Sequence, residues 1–259
     1  MQDSKTQPIL QLKGISKSFG VVQALSEVDF EVYPAEVVGL VGDNGAGKST
    51  LVKIIAGTYR ADGGEYHFDD RKVEITNPSD ARDLGIQTVY QDLALCDNLD
   101  VVANLYLGRE QHRKLIPGIT VLDEIEMERE AMTFVDELHV RIPSLRSKIA
   151  SLSGGQRQSV AVARAVMWNS KVVLLDEPTA ALGVEQTHQV KELIVRLREK
   201  GLGVVVISHN LADVFDVADR IIVLRLGKRV ATFETHTSNQ EQVVAAITGA
   251  EFGEMNGSK

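Results

Sequence analysis

The chain has 259 residues, 44% hydrophobic and 25% charged, a composition that supports a packed core and excludes wholesale disorder. Its 28 basic and 36 acidic residues leave a net charge of -8, which removes the electrostatic footprint of a general nucleic-acid binder. A lone cysteine, Cys96, can form no intramolecular disulfide, and there is no run of about 18 apolar residues to span a membrane.

The opening MQDSKTQPIL is polar and lacks the apolar stretch of a secretory signal, so a cytoplasmic location is expected. Apolar residues alternate through Ile9–Phe19 and again at Val28, Phe30 and Val32, which predicts half-buried strands in an antiparallel layer. Val37–Val41 reads as a strand buried on both faces, followed by a glycine-rich turn and an amphipathic helix over Ser49–Ala56 that Gly57 ends. Tyr66 and Phe68 resume the alternation, and Val73–Tyr90 returns toward the core. From Asp92 to about Ala150 the composition shifts to charged helix formers, which predicts a helical subdomain. Two more buried strands, Lys171–Leu175 and Gly203–Ser208, flank a helix over Glu185–Lys200 that Gly201 terminates. Strands alternating with helices predict an α/β fold on a mainly parallel sheet. The ending GAEFGEMNGSK is small and polar, and a frayed tail is expected there.

Three short patterns carry chemistry. Gly42-Asp43-Asn44-Gly45-Ala46-Gly47-Lys48-Ser49 satisfies G-x-x-x-x-G-K-[ST] between a predicted strand and a predicted helix. In that context backbone N–H groups converge on phosphate oxygens, Lys48 reaches the β and γ phosphates, and Ser49 can ligate Mg2+. Val172–Leu175 runs into Asp176 and Glu177 at the carboxyl edge of the expected sheet, where ligands of open parallel sheets bind. Asp176 suits the metal side, and Glu177 is placed to polarise the water that attacks the γ-phosphate. A phosphate loop with two strand-end acids still admits kinases, GTPases and helicases. Leu152-Ser153-Gly154-Gly155-Gln156 narrows the class, because it offers a second anion site at a helix N-terminus, best explained as serving a nucleotide held by another copy.

With these residues in place the chain resembles an ATP-binding-cassette ATPase from about Ile9 to Gly249. That resemblance implies the P-loop NTPase fold of this type: a RecA-like core with an antiparallel layer at 8–91 and 160–249, a helical subdomain carrying the signature motif at 92–159, and a flexible tail at 250–259. It also implies that Phe19 stacks on adenine, that Thr50 joins Gly42–Ser49 around the phosphates, and that Ser153–Gln156 complete the cofactor site. Gln91 in VYQD matches the glutamine at the junction with the helical subdomain, and His209 in VISHN the switch histidine. The implied catalytic set is Glu177, His209 and Gln91, and the implied Mg2+ contacts are Ser49, Gln91 and Asp176. ATP and Mg2+ are the implied cofactors. Where the family usually has Ser-Ala-Leu-Asp after the acids, this chain has Ala180-Ala181-Leu182-Gly183. The missing carboxylate and the freedom of glycine are expected to loosen coupling to the opposite site.

The same resemblance implies two cassettes closing head to tail around two ATP molecules. It implies permease subunits contacting the helical subdomain and the segment after Gln91, a periplasmic or extracellular solute-binding protein, and no nucleic acid. The chain is then expected at the inner face of the cell membrane. VYQDLALCDNLDVVANLYLGRE and VVAAITGA look like bacterial monosaccharide importers of the ribose, xylose and fructose type. Import of another small solute, export, and a soluble regulatory or nucleic-acid-remodelling ATPase are the competing readings.

Overall fold

The alternation at the start of the chain becomes the first sheet. A computed structural model describes residues 7–250; the start of the chain and most of the expected tail lie outside that range. Strands β1 (Leu10–Phe19) and β2 (Val22–Val32) pair antiparallel, Leu10 opposite Val32 and Phe19 opposite Val22. Leu10, Leu12, Leu25, Val28, Phe30 and Val32 are fully buried, each worth about 1.5–3 kcal/mol of burial. β3 (Val37–Val41) is buried throughout. It runs through the phosphate-loop sequence into α1 (Lys48–Ile55), whose buried face is Leu51, Val52, Ile54 and Ile55. β4 (Gly63–Phe68) and β5 (Arg71–Val73) then complete an antiparallel sheet in the order β2-β1-β4-β5. α2 (Pro78–Asp83), started by a reciprocal Asn77–Asp80 capping box, leads into β6 (Ile86–Val89).

The segment read as a helical subdomain also carries a hairpin. It holds α3 (Val101–Leu105), capped by Asp100, and α4 (Glu124–Glu137), capped by Asp123. Between them lies an antiparallel hairpin, β7 (His112–Ile116) and β8 (Ile119–Leu122), turning at Pro117-Gly118. The local reason is β-branched and aliphatic residues flanking a Pro-Gly turn; averaged over a segment rich in charged helix formers, that signal vanishes. α5 (Gly154–Val166) runs unbroken across positions 159 and 160, so it belongs physically to both the helical layer and the core.

The remaining elements are β9 (Val172–Asp176), α6 (Val184–Glu199), β10 (Gly203–Ile207), α7 (Leu211–Val217), β11 (Arg220–Arg225), β12 (Lys228–Glu234) and α8 (Gln240–Thr248). The second sheet has the order β12-β11-β3-β10-β9-β6. β11, β3, β10, β9 and β6 are mutually parallel, and only the edge strand β12 runs antiparallel. Successive residues divide between two cores, as the period of a strand requires. Val37, Val173, Leu175, Val204, Val206, Ile221 and Val223 face the cluster built with α5, α6 and the helical layer. Val38, Leu40, Val172, Leu174, Val205, Ile207 and Ile222 face α1 and the antiparallel sheet. Buried Arg220 ties the two sheets, its Nε 2.8 Å from Glu36 Oε1 and its Nη1 3.0 Å from Glu31 Oε1.

Candidate functional site

Parallel strands end on the same edge, and this edge collects the residues that carry chemistry. Leu40 of β3 lies beside Ile207 of β10, which lies beside Asp176 of β9, while Val89 of β6 pairs with Leu175. The segments leaving these four strands begin with Gly42, with Ser208 and His209, with Glu177, and with Tyr90 and Gln91. Neighbouring strands are about 4.8 Å apart, so Asp176 sits roughly 10 Å across the sheet from the start of the phosphate loop.

The loop itself is fixed by two glycines. Gly42 has φ 149°, and a Cβ there would strike the Leu224 carbonyl oxygen; Gly47 has φ 104°, and a Cβ would meet Ala24 O and Leu25 Cδ2, each at 2.7 Å. The loop thus packs against β2 while Asp43, Asn44, Gly45 and Ser49 stay exposed and Ala46 is buried. Gly47 stands at the N-terminus of α1, where unpaired N–H groups favour an anion. Lys48 Nζ donates to Gly42 O at 2.6 Å and to Asp43 O at 3.0 Å. Burial pulls its pKa below the ordinary lysine value, and Glu177, Asp43 and Asp176 partly oppose that. Thr50 follows in the first turn of α1.

Burial raises the Asp176 pKa, Glu177 adds to the rise, and Lys48 opposes it; a cation at this carboxylate would relieve the cost. Ser49, Asp176 and Gln91 are hard oxygen donors, and no cluster of three or more His, Cys, Asp or Glu able to hold an ion occurs among the described residues. Such a sparse set fits Mg2+, which keeps waters and takes oxygens from the substrate phosphates.

Glu177 is held in a left-handed conformation, φ 51°, of the kind that costs about 1–3 kcal/mol and concentrates at functional sites. Its N–H donates to Ile207 O at 2.8 Å, which binds the β9 end to the β10 end. Its carboxylate accepts from the His209 N–H at 3.2 Å and lies 2.9 Å from His209 Nδ1, with Ser208 Oγ donating at 3.4 Å. The His209 ring is 76% exposed while Glu177 is 17% exposed, so the imidazole meets solvent and the carboxylate is shielded beneath it. A cavity of about 520 Å3 joins Gly42–Asn44 and His209 to Val244, Ile247 and Thr248 of α8.

Phe19 ends β1, half-exposed, with Tyr59 edge-on at 5.2 Å and Lys17 Nζ 5.5 Å above its ring. Its partner Val22 lies two residues from Ala24, which packs on Gly47, so the aromatic stands beside the phosphate loop. Gln91 is exposed just past β6. Ser153 caps α5: Gln156 N–H donates to its Oγ at 3.3 Å and its own N–H donates to Gln156 Oε1 at 2.9 Å. Gly154 and Gly155 are required by close approach, since a Cβ would meet Leu182 Cδ2 at 2.9 Å or Gln186 Cβ at 2.8 Å. The signature sequence therefore rests on the start of α6 in its own chain, with Ser153 and Gly154 exposed.

Gly183 corrects an expectation. It caps α6 at φ -72° and ψ 167°, a conformation aspartate adopts without strain, so glycine's extra freedom is unused. The left-handed residue in that loop is Ala181, φ 59°. One residue escaped the sequence reading. Asp213, in the first turn of α7, accepts from Thr179 Oγ1 at 2.8 Å and Asn210 Nδ2 at 2.9 Å, with Lys191 Nζ 3.3 Å away. It links the loop after Glu177 to the helix after His209; its only sequence signal is a position one turn beyond that histidine. A smaller groove of about 250 Å3 lies between β6, α3 and α5, lined by Gln87, Leu93, Arg109, Arg164 and Trp168. The buried Gln87 Nε2 has no hydrogen-bond partner there.

Comparison with known proteins adds a family to this geometry. Residues 25–180 match the family described as ABC transporter. The chain is 45% identical to the xylose/arabinose import ATP-binding protein XylG of Sulfolobus acidocaldarius, over 96% of this chain and 97% of that one. It is 44% identical to the fructose import ATP-binding protein FrcA of Rhizobium meliloti, over 94% and 95%. A ribose import ATP-binding protein of Rubrobacter xylanophilus is 43% identical over 91% of this chain, which spans only 46% of that protein. Among solved structures, an ABC-transporter cassette in its ADP conformation superposes with TM-score 0.78 at 28% identity, covering 95% of this chain and 96% of the other. A dimeric bacterial ABC transporter cassette gives TM-score 0.72 at 26% identity, covering 87% and 98%.

Proposed function

The chain belongs to the ABC transporter family, an ATP-hydrolysing cassette, and from that premise we propose that it energises uptake of a monosaccharide through separate membrane-spanning subunits. One observation carries the chemistry: the phosphate loop, the Asp176-Glu177 pair and His209 leave adjacent parallel strands on one edge. Lys48 and the N–H groups at the head of α1 bind the β and γ phosphates, the exposed face of Phe19 receives the adenine, and Gly42–Thr50 enclose the phosphate chain. Ser49, Asp176 and Gln91 would hold Mg2+, which neutralises phosphate charge when bound. Glu177 orients the attacking water, and His209, bonded to Glu177, fixes that carboxylate and lies where it can reach the γ-phosphate. As water adds to the γ-phosphorus, the bond to the ADP oxygen breaks.

Two copies complete the site. Exposed Ser153 and Gly154 head a helix that Gly154–Gln156 begin, and in a head-to-tail pair that N-terminus faces the nucleotide held by the other copy. No helix among the described residues is long and apolar enough to cross a membrane, so transport requires a permease. The groove by Gln87, Arg109 and Arg164, one strand outward from Asp176, suits a permease loop that supplies the acceptor Gln87 lacks. The monosaccharide class, a solute-binding protein outside the membrane and a location on its inner face rest on the full-length likeness to the xylose/arabinose and fructose import proteins.

The test is capture of a tagged chain from detergent-solubilised membranes of its own source, with sugar uptake measured in parallel. A polytopic permease is expected in the eluate, and Glu177→Gln is expected to abolish uptake of a pentose or fructose. Recovery of ribosomes or DNA instead, with sugar uptake intact, overturns the reading.

A further inference from the structure

Nothing in the nucleotide chemistry uses the β7–β8 hairpin. Its strands pair only with each other, and a lone two-stranded hairpin is at best marginally stable in water. Its root is secured. Asp123 N–H donates to Gln111 O at 2.8 Å, Gln111 Nε2 donates to Glu130 Oε2 at 2.6 Å, and Asp123 caps α4. Beyond that root every residue from His112 to Thr120 is exposed, Leu115 by 59%, Ile116 by 55% and Ile119 by 50%.

The distribution of these side chains says what covers them. Ile116 pairs with Ile119 at the Pro117-Gly118 turn, while Lys114 pairs with Thr120 and Arg113 with Val121 further back. Arg113 and Lys114 are consecutive, so they point to opposite faces. The three most exposed apolar residues of the hairpin therefore sit toward the tip with a cation on each face behind them, while Val121 and Leu122 on the return strand lie at and below the level of the cations. A hairpin resting on a protein surface needs one apolar face and leaves the other to water. An apolar tip with cations behind it on both faces instead matches a medium that is anionic at a plane and apolar beyond it. At about 3.3 Å per residue, the step from Arg113 to Ile116 is roughly 10 Å, close to the ~5–10 Å that an interfacial segment sinks below the headgroups. No acid occurs from Gln111 to Leu122, in a chain whose net charge is -8.

We propose that the β7–β8 hairpin is a membrane-surface anchor that places Leu115, Ile116 and Ile119 among anionic lipid headgroups, with Arg113 and Lys114 paired to their phosphates. The site lies outside the nucleotide machinery and does not depend on the transport reading. Leu107, Gly108 and Arg109, which lead into the hairpin, line the groove assigned above to the permease, so both contacts fall in one region of the surface. Anchors of this size hold weakly alone and become stable only beside a second contact. The hairpin adds to permease docking and does not replace it.

Flotation of the purified full chain with lipid vesicles tests this directly. Binding is expected to vesicles containing phosphatidylglycerol, not to phosphatidylcholine alone, and to weaken with salt. Each lost cation lowers partitioning about fivefold, so Arg113→Gln with Lys114→Gln is expected to cost roughly 25-fold, and Ile116→Ser with Ile119→Ser to abolish salt-resistant binding. Both double variants retain the parent ATPase rate and melting temperature, which separates lost anchoring from lost folding. Parent protein that ignores anionic vesicles, or variants that float as the parent does, overturn the proposal. Capture through the hairpin by permease-containing vesicles alone also overturns it and assigns the surface to a protein.

Discussion

Replacing Gly183 by aspartate restores the family's usual residue, and the structure sets the size of the effect. The backbone at φ -72° and ψ 167° accepts aspartate, and a Cβ there meets nothing within 4 Å. The new carboxylate takes an N–H from Glu185 or Gln186 in the first turn of α6, a pairing that the present cap lacks. Aspartate exceeds glycine as a cap by a few tenths of a kcal/mol, and its charge at the positive end of the helix adds about 0.3–1 kcal/mol. Glu185, already in that turn, repels it and removes part of the gain. The net is about 0.5–1 kcal/mol, or roughly 1–3 °C in melting temperature for a chain of this size. Because Leu182 and Gln186 carry Gly154 and Gly155, a firmer start to α6 also steadies the signature helix. Basal turnover of the isolated protein is therefore expected to rise, by no more than about fivefold if the whole gain appears in the barrier, with ATP affinity unchanged. Calorimetry, nucleotide titration and steady-state ATPase measure the three quantities. A lower melting temperature would refute the capping geometry. A raised one with flat or reduced turnover would show that the missing carboxylate does not limit coupling between sites.

Lys48→Ala removes charge-assisted bonds worth about 1.5–3 kcal/mol each, so titration is expected to show ATP affinity falling by roughly 100-fold or more; near-parent affinity contradicts the role of Lys48. Glu177→Gln is expected to bind ATP as the parent does and to turn over about 10²–10⁴-fold more slowly, and hydrolysis at the parent rate would remove Glu177 from the chemistry. Inactive Lys48→Ala and Ser153→Arg chains, mixed and confirmed as pairs, are expected to regain activity at one composite site; persistent inactivity counts against sharing between copies. Asp213→Ala strands the Thr179 hydroxyl and the Asn210 amide, a loss of about 1–3 kcal/mol, and is expected to lower kcat more than it raises KM. The control Asp216→Ala, at a carboxylate that is 59% exposed, is expected to leave kcat alone, and equal effects would reduce Asp213 to a structural role.

What could be read from the chain alone was whatever is local. Gly42–Ser49, Asp176-Glu177 and Leu152–Gln156 each work through consecutive residues, so spacing alone identifies them. The strands at Val37–Val41, Lys171–Leu175 and Gly203–Ser208 are legible because burial on both faces demands uninterrupted apolar runs. Composition over Asp92–Ala150 failed at the hairpin, whose turn is set by two residues. The missing carboxylate at Gly183 was visible as a letter, but its backbone angles, and hence the fact that glycine's conformational freedom is unused there, were not. Strand order was decided only by tertiary packing. It sets β10 between β3 and β9, which brings His209 onto Glu177 and stands both beside Gly42. It also brings Asp213 onto Thr179. These contacts join segments remote in sequence, and which segments meet depends on how alternating faces fill two cores at once, a condition that no local propensity encodes.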